Sequence, residues 1–162
     1  MFKSVSYCQI CGYKLQDHTL KGKIQPYCPN CEIFSYLDPK VAIVILIENS
    51  KSLLLVKRDI EPHIDHWSFP SGYVDRGENT KDAAIREIKE ETCLDIKITQ
   101  LQGVYSGKGS VVIIVYTAIA LDINKGKAGE EVKEIKWFPV NNLPSLPFPY
   151  DDEIIADYIN NI

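Results

Sequence analysis

An α/β fold preceded by a small cysteine-rich segment is the class that the order of elements predicts for this chain of 162 residues. Apolar, β-branched runs typical of strands and two segments of helical pattern indicate the main domain. Four of the five cysteines lie within the first 31 residues and mark the separate segment. The composition changes at Asp38-Pro39, which predicts one domain over 1–37 and a second over 38–162.

The second domain begins with two predicted strands, over 41–47 and 52–57, that a turn joins into a hairpin. The next clear element is a helix over 79–91, because Asn79 is a good N-cap residue ahead of a helical pattern. A loop-rich stretch is expected over 59–71. Two strands, over 101–106 and 111–121, are expected around a glycine turn, and a further strand over 132–138. A final amphipathic helix is expected from Asp151 onward.

Composition excludes several classes of protein. Apolar residues make up 45% and charged residues 25% of a chain with net charge −4, so no bulk positive charge is available to hold a nucleic-acid backbone. The longest apolar runs, 41–47 and 111–121, are too short to span a membrane, and the N-terminus has no apolar stretch of signal-peptide length. We therefore expect a cytoplasmic protein without membrane or nucleic-acid partners.

Two cysteine pairs, Cys8/Cys11 and Cys28/Cys31, have the spacing C-x2-C-x16-C-x2-C. Each short turn can direct two thiolates at one tetrahedral ion, so the spacing predicts a zinc ribbon. Four thiolates close the coordination sphere, which favours a structural role for Zn²⁺. A segment this small buries too little core to fold alone, so removal of the metal should unfold it.

Three glutamates crowd one face of the predicted helix. At about 100° per residue, Glu87, Glu90 and Glu91 share a side, where like charges cost a few tenths of a kcal/mol per pair. A hard divalent cation, Mg²⁺ or Mn²⁺, would resolve this repulsion because it takes oxygen ligands. A merely solvated acidic face is the alternative that the triple alone leaves open.

The residues around the glutamates match the pattern G-x5-E-x7-R-E-U-x-E-E-x-G-U, in which U is a bulky aliphatic, at eight of its nine specified positions. On these residues, over 72–94, the chain resembles the Nudix hydrolases, and the resemblance extends more weakly over 40–162. The resemblance implies an αβα sandwich with a mixed, curved sheet. The helix that carries the three glutamates would lie on one face of the sheet and the C-terminal helix on the other. The matching residues are Gly72, Glu78, Arg86, Glu87, Ile88, Glu90, Glu91 and Leu94.

The resemblance implies hydrolysis of a nucleoside diphosphate linked to another moiety, by attack of water on phosphorus. Glu87, Glu90 and Glu91 then match the metal-binding glutamates, and one of them or a carboxylate on a later loop takes the proton of the water. Arg86 and Glu78 match residues that orient these glutamates.

Two further residues are expected to bind substrate. Gly72 belongs to the signature, which places it at the substrate site. Arg58 ends the second predicted strand and could hold a phosphate bidentately. The alternative for Arg58 is a surface charge at the end of a strand.

Cys93 is the one departure from the signature, since the family has glycine there. That position follows the helix, where a left-handed backbone is common and a Cβ costs about 1 kcal/mol. We therefore expect Cys93 to affect how the helix ends, and we favour a buried, inert small residue over a thiol nucleophile.

A zinc ribbon directly before such a domain is similar to two groups, the NADH pyrophosphatases and a set of short enzymes acting on ADP-ribose or FAD. The first group carries S-Q-P-W-P-F-P-Q-S soon after the Nudix pattern, and residues 102–109, in the corresponding place, do not match it. The sequence therefore predicts ADP-ribose or FAD as substrate, with NADH as the alternative. Two alternative enzymatic functions are a house-cleaning (d)NTP pyrophosphatase and hydrolysis of RNA caps or ends. An alternative of another class is an adaptor whose ribbon binds nucleic acid or protein through Lys14, Lys21 and Lys23. Proteins of this type are often homodimers.

Overall fold

The computed structural model of the protein describes residues 6–36 and 38–161. The chain divides after Pro39 into two compact units, Met1–Pro39 and Lys40–Ile162. Residues 1–5, on which the expectation of no signal peptide depends, and Leu37, at the predicted domain boundary, lie outside the described residues. The boundary at 37/38 stays a prediction.

The N-terminal unit contains a three-stranded antiparallel sheet that its polar sequence did not predict. Its strands, in spatial order, are β1 (Gln16–Leu20), β2 (Lys23–Cys28) and β3 (Ile33–Phe34). Across these strands the ring of Tyr27 packs against those of His18 and Phe34, with centroids 5.2 and 5.1 Å apart. Strand pairing here depends on this small aromatic cluster and the cysteines rather than on apolar alternation, so periodicity could not reveal it.

The described residues of the C-terminal unit form seven strands and two α-helices. Neither α-helix is long and apolar enough to cross a membrane, and the same is true of every other helix among the described residues. The elements are β4 (Lys40–Asn49), β5 (Ser52–Arg58), β6 (Trp67–Ser68), β7 (Ser71–Tyr73), α1 (Thr80–Thr92), β8 (Ile96–Tyr105), β9 (Val111–Ala120), β10 (Val132–Pro139) and α2 (Asp151–Asn160).

The predicted strands and helices of this unit are confirmed, with three differences. Strand β8 begins at Ile96, five residues earlier than predicted, and two short strands, β6 and β7, occur at the end of the stretch predicted to be loop-rich. The predicted hairpin exists but is short, because β4 and β5 pair only at Glu48–Leu53 and Asn49–Ser52. Beyond that point β7 pairs with β4 and β6 pairs with β5.

The main sheet is mixed, as expected. Its order is β10-β5-β4-β9-β8, and β4 and β9 run parallel while the other neighbours are antiparallel. A parallel pair needs a long crossover, and the segment between β4 and β9 supplies it with β5 to β8 and α1.

Alternating side chains of β4 build a core on each face of the sheet. Ile43, Ile45 and Ile47 pack in one buried cluster with Ile88 of α1. Leu46 packs in the other cluster with Ile154 of α2. The αβα sandwich is therefore confirmed, with the two helices on opposite faces. Because Ile88 fixes the buried face of α1, the neighbouring acidic face of this helix is presented to the region of β7.

Candidate active site

Helix α1 carries the acidic residues, and both of its ends are capped. The side chain of Asn79 accepts a hydrogen bond from the backbone N–H of Lys81 at 2.9 Å. At the other end, Cys93 has φ 56° and ψ 7°, and its N–H bonds to the carbonyl of Lys89 at 3.1 Å. The left-handed backbone expected at this position is therefore confirmed, with a cysteine where glycine would be free of strain.

Arg86 connects the acidic residues of the site. Its Nε and Nη2 each donate to one carboxylate oxygen of Glu78, both at 2.9 Å. Its Nη1 donates to Glu87 at 2.8 Å and to Glu90 at 3.2 Å, and Nη2 also donates to the carbonyl of Tyr73 at 3.1 Å. The bidentate contact lowers the pKa of Glu78 to about 2 and raises that of Arg86. These contacts are compatible with the orienting role that the resemblance implies for Arg86 and Glu78.

Gly72, in β7, leaves the space in which the Glu87 carboxylate lies. A Cβ on Gly72 would meet Cδ of Glu87 at 1.9 Å and its two carboxylate oxygens at 2.1 and 2.2 Å. The absence of a side chain therefore lets the backbone of β7 approach the carboxylate. Burial raises the pKa of Glu87 against the opposing effect of Arg86.

Glu91 is the most deeply buried acid of the helix, with 9% of its surface exposed. One of its oxygens accepts a hydrogen bond from the backbone N–H of Ser71 at 3.1 Å. Burial raises the pKa of Glu91 to about 8, and the charge of Glu87 acts in the same direction while Ser71 and Arg58 oppose it. A buried carboxylate with so little compensation is a place where an added positive charge would be stabilised.

Arg58, at the end of β5, is buried rather than a strand-end surface charge, since only 9% of it is exposed. Its Nε donates to the carbonyl of Pro62 at 2.7 Å, and its guanidinium carbon lies 5.3 Å from the ring centroid of Phe148. The positive charge of Arg58 lowers the pKa of Glu91 and so opposes the larger effect of burial. These contacts hold the guanidinium plane, and neither Nη group has a hydrogen-bond partner among the described residues.

Ser68 is a buried hydroxyl that the sequence did not single out. It pairs with Val56 across β6 and β5, and Val56 lies two residues after Leu54, which belongs to the cluster under α1. Directly opposed residues share a face, so Ser68 faces the same layer as α1. Its Oγ has no hydrogen-bond partner among the described residues, which leaves a polar atom beneath the site to be satisfied.

Glu131 is the acidic residue of the site that sequence reasoning missed. Its charge raises the pKa of both Glu87 and Glu91, and the N–H of the preceding residue, Glu130, donates to the carbonyl of Glu90 in α1 at 3.2 Å. It immediately precedes β10, some forty residues beyond the helix. Only sheet pairing brings it there; the pair Glu130-Glu131 is the sole sequence signal, and it is indistinguishable from a solvated turn.

The three residues expected to hold a divalent cation, Glu87, Glu90 and Glu91, are carboxylates, a hard-oxygen donor set that suits Mg²⁺ or Mn²⁺. They are not drawn together as ligands, because Arg86 holds Glu87 and Glu90 while Ser71 holds Glu91. Among the described residues, the cysteines form the one group of three or more His, Cys, Asp or Glu whose ligand atoms lie within 4.8 Å of one another. The buried charge of Glu91 nevertheless fits such an ion.

The four cysteines of the N-terminal unit form a cluster of the size that one zinc ion needs. Their sulfur atoms lie within 4.8 Å of one another, and those of Cys11 and Cys28 are 3.6 Å apart. Tetrahedral bonds of about 2.3 Å imply sulfur separations of about 3.8 Å. The N–H of Cys31 points at the sulfur of Cys28, at 3.4 Å, as in a tight metal-binding turn. A structural zinc is compatible with this cluster of Cys8, Cys11, Cys28 and Cys31.

The C-terminal unit thus has a helix that covers a mixed sheet and carries a row of glutamates held by one arginine, the arrangement that the resemblance to the Nudix hydrolases implies. A family model described as "NUDIX domain" matches residues 38–158. The chain therefore belongs to the Nudix family of hydrolases, and the resemblance seen in its sequence is confirmed.

Similar proteins extend the comparison. The "ADP-ribose pyrophosphatase" of Methanocaldococcus jannaschii is 42% identical over 131 residues, which are 76% of this chain and 75% of that protein. The "NAD-capped RNA hydrolase NudC" of Stutzerimonas stutzeri is 28% identical over 149 residues, and the match spans 87% of this chain but 50% of the relative. A crystal structure of a NUDIX hydrolase from Nitrosomonas europaea superposes with a TM-score of 0.87 at 27% identity, covering 97% of this chain and 92% of that one.

Proposed function

We propose that this protein is a Mg²⁺- or Mn²⁺-dependent pyrophosphatase that hydrolyses ADP-ribose or a related derivative such as FAD. The observation that carries the substrate class is the 42% identity to a protein named ADP-ribose pyrophosphatase, which extends over three quarters of both chains. The observation that supports the chemistry is the buried, weakly compensated Glu91 beside the acids held by Arg86.

The acidic helix would hold the cation through Glu87, Glu90 and Glu91. When bound, a divalent ion neutralises the diphosphate and makes an attacking water more acidic. Arg86 already holds Glu87 and Glu90, and Gly72 leaves space for the carboxylate of Glu87, so these side chains lie on the acidic face of the helix before an ion binds. In this proposal the three carboxylates turn from Arg86 and Ser71 toward the ion when it binds.

Arg58 is proposed to hold a substrate phosphate. Its Nε is occupied by the carbonyl of Pro62, which fixes the plane of the guanidinium and leaves the two Nη groups for phosphate oxygens. Because Arg58 is already buried, a phosphate bound there would lie in a site of low dielectric, where the attraction is strong.

Glu131 is proposed as the later-loop carboxylate that accepts the proton of the attacking water. Its side chain is exposed and makes no ion pair with any of the described residues, so it is free to accept a proton. Its charge raises the pKa of Glu87 and Glu91, and the N–H of the preceding residue, Glu130, donates to the carbonyl of Glu90, which supports a position beside the acidic helix. Glu87, Glu90 and Glu91 are less suited because Arg86 and Ser71 engage them.

NADH, or an NAD-capped RNA end, is the second candidate substrate. The specific observation in its favour is that the match to NudC covers 87% of this chain and therefore includes at least part of the cysteine segment, residues 1–37. The absence of the NADH-type motif from residues 102–109 opposes it.

A substrate panel measured as kcat/KM with Mg²⁺ tests the proposal. It compares ADP-ribose, FAD, NADH, NAD-capped RNA and modified dNTPs, and it includes the isosteric variants Glu90→Gln and Glu91→Gln, singly and combined. We expect ADP-ribose or FAD to be cleaved fastest and both variants to lose hydrolysis while they remain folded. Faster cleavage of dNTPs, or full activity in the folded double variant, would refute the substrate class or the metal site respectively.

The N-terminal unit is proposed to hold a structural Zn²⁺ through its four cysteines. The homodimer and the cytoplasmic location also stay predictions. Light scattering of the purified protein and fractionation of its cells test the last two, and metal analysis of the purified protein tests the first.

A further inference from the structure

A loop of residues 127–131, which we call the capping loop, covers the C-terminal end of α1. The N–H of Lys127 donates to Thr92 at 3.0 Å, that of Gly129 to Glu91 at 2.9 Å, and that of Glu130 to Glu90 at 3.2 Å. These three backbone carbonyls lie in the last turn of the helix and have no donor within it. The capping loop therefore satisfies the end of the helix at the two residues whose side chains are proposed metal ligands.

Gly129 allows the close approach of this loop to the helix. A Cβ at that position would lie 1.8 Å from the carbonyl oxygen of Glu90, 2.9 Å from its carbonyl carbon and 3.2 Å from that of Glu91. All three are backbone atoms, which cannot rotate away as the end of a side chain can. Gly109, in contrast, has nothing within 4 Å of an added Cβ.

A second backbone contact fixes the far end of the capping loop, at Glu131. The carbonyl of Glu131 accepts a hydrogen bond from the N–H of Asp59 at 2.8 Å, and the next residue, Val132, begins β10 opposite Arg58. Glu131 itself has φ 62°, a left-handed backbone that is strained for this residue type. Glu131 is thus held between the helix end on one side and the sheet on the other.

We propose that Gly129 is a positioning residue that sets the distance between the carboxylate of Glu131 and the glutamates of α1. This inference rests on the proposed function, in which Glu131 takes the proton from water. An alanine would force the loop to retreat by roughly 1.5 Å before its Cβ reached ordinary contact with the carbonyl of Glu90, and a misplacement of about 1 Å can cost about 100-fold in rate.

Hydrogen exchange on the unmutated protein is the first test, and it requires no variant to fold. The amides of Gly129 and Glu130 should exchange far more slowly than their intrinsic rates, because each is bonded to the helix. Exchange at the intrinsic rate would show that the loop is not docked and would overturn the proposal. This measurement does not depend on which substrate the enzyme cleaves, so it separates failure of this inference from failure of the proposed function.

Gly129→Ala is the second test, with Gly109→Ala as its matched control. We expect kcat to fall by about 100-fold with KM changed only a few-fold. The amide of Glu130 should lose its protection, and the control should stay within about twofold of the unmutated enzyme in every readout. A folded Gly129→Ala protein with unchanged kcat would overturn the proposal. If this variant does not fold, the exchange of the unmutated protein decides.

A double-mutant cycle with Glu131→Gln tests whether Gly129 acts through that carboxylate. Once the carboxylate is absent, Gly129→Ala should lower kcat by only a further few-fold, because residues that act as one unit are strongly non-additive. Equal factors in both backgrounds would show that Gly129 supports only the helix, and the proposal would be wrong.

Discussion

Replacing Gly72 by alanine adds one methyl group against a proposed metal ligand and nothing else. The backbone at Gly72 pairs with Ile43 in the sheet and does not lie in the left-handed region, so alanine suits its conformation. The added Cβ would lie 1.9 Å from Cδ of Glu87, which must therefore move by roughly 1.5 Å to reach ordinary contact. The carboxylate is the end of a flexible side chain, so we expect Glu87 to move and the sheet to stay.

The cost to stability should be small and the cost to activity large. Glu87 loses its 2.8 Å hydrogen bond from Arg86, a charge-assisted contact that is partly exposed to solvent, so about 1 kcal/mol is a fair upper value. In a domain of this size that lowers Tm by about 2–4 °C. A ligand displaced by more than about 1 Å should lower kcat/KM by about 100-fold.

The assay is kcat/KM on the best substrate of the panel, together with a thermal melt of the same sample. Gly109→Ala serves as control because an added Cβ meets nothing there. Activity within about threefold of the unmutated enzyme would show that the position of Glu87 does not matter. A large loss of Tm would show that the clash deforms the sheet rather than the side chain. Either result refutes the reasoning.

Three further predictions concern the ends of the site and the N-terminal unit. Cys93→Gly should raise the free energy of unfolding by about 0.5 kcal/mol, because relief of the left-handed strain exceeds the extra entropy that glycine gives the unfolded chain. Chemical denaturation measures this change, and a lower free energy of unfolding would contradict the prediction. Arg86 lowers the pKa of Glu78 from 4.5 to about 2, so the ion pair stabilises the fold fully above pH 4.5 and is lost as the pH falls towards 2. The Tm difference between the unmutated protein and Glu78→Gln should therefore shrink across that range, and a constant difference would exclude the ion pair as its cause. A zinc chelator should remove the NMR signals of the folded N-terminal unit, at Tyr27 for example, while those of the C-terminal unit persist. Unchanged Tyr27 signals after complete metal removal would show that the unit folds without metal.

Much of the architecture could be predicted because it is encoded by nearby residues. The apolar run of β4 and the Asn79 cap each depend on a few consecutive positions, and the structure has both. The strands of the cysteine segment could not be found in this way, since they depend on a small aromatic cluster across three strands.

Some features of the candidate site could likewise be predicted from nearby residues, and others could not. The spacing of Glu87, Glu90 and Glu91 follows from the helical repeat, and the contacts of Arg86 with Glu87 and Glu90 lie within one turn or so. The burial of Arg58 could not be inferred, because it depends on a carbonyl and an aromatic ring supplied by separate loops.

By itself, then, the sequence determined the acidic helix, the cysteine spacing and the family, since all three are patterns of short range along the chain. Only the tertiary structure decided which distant backbone closes the site. The order of strands brings Gly72 against Glu87, and it brings Gly129 and Glu131 to the end of α1. The physical reason is that the close approach of two backbones is a property of packing, and a glycine in a sequence does not reveal which neighbour requires it.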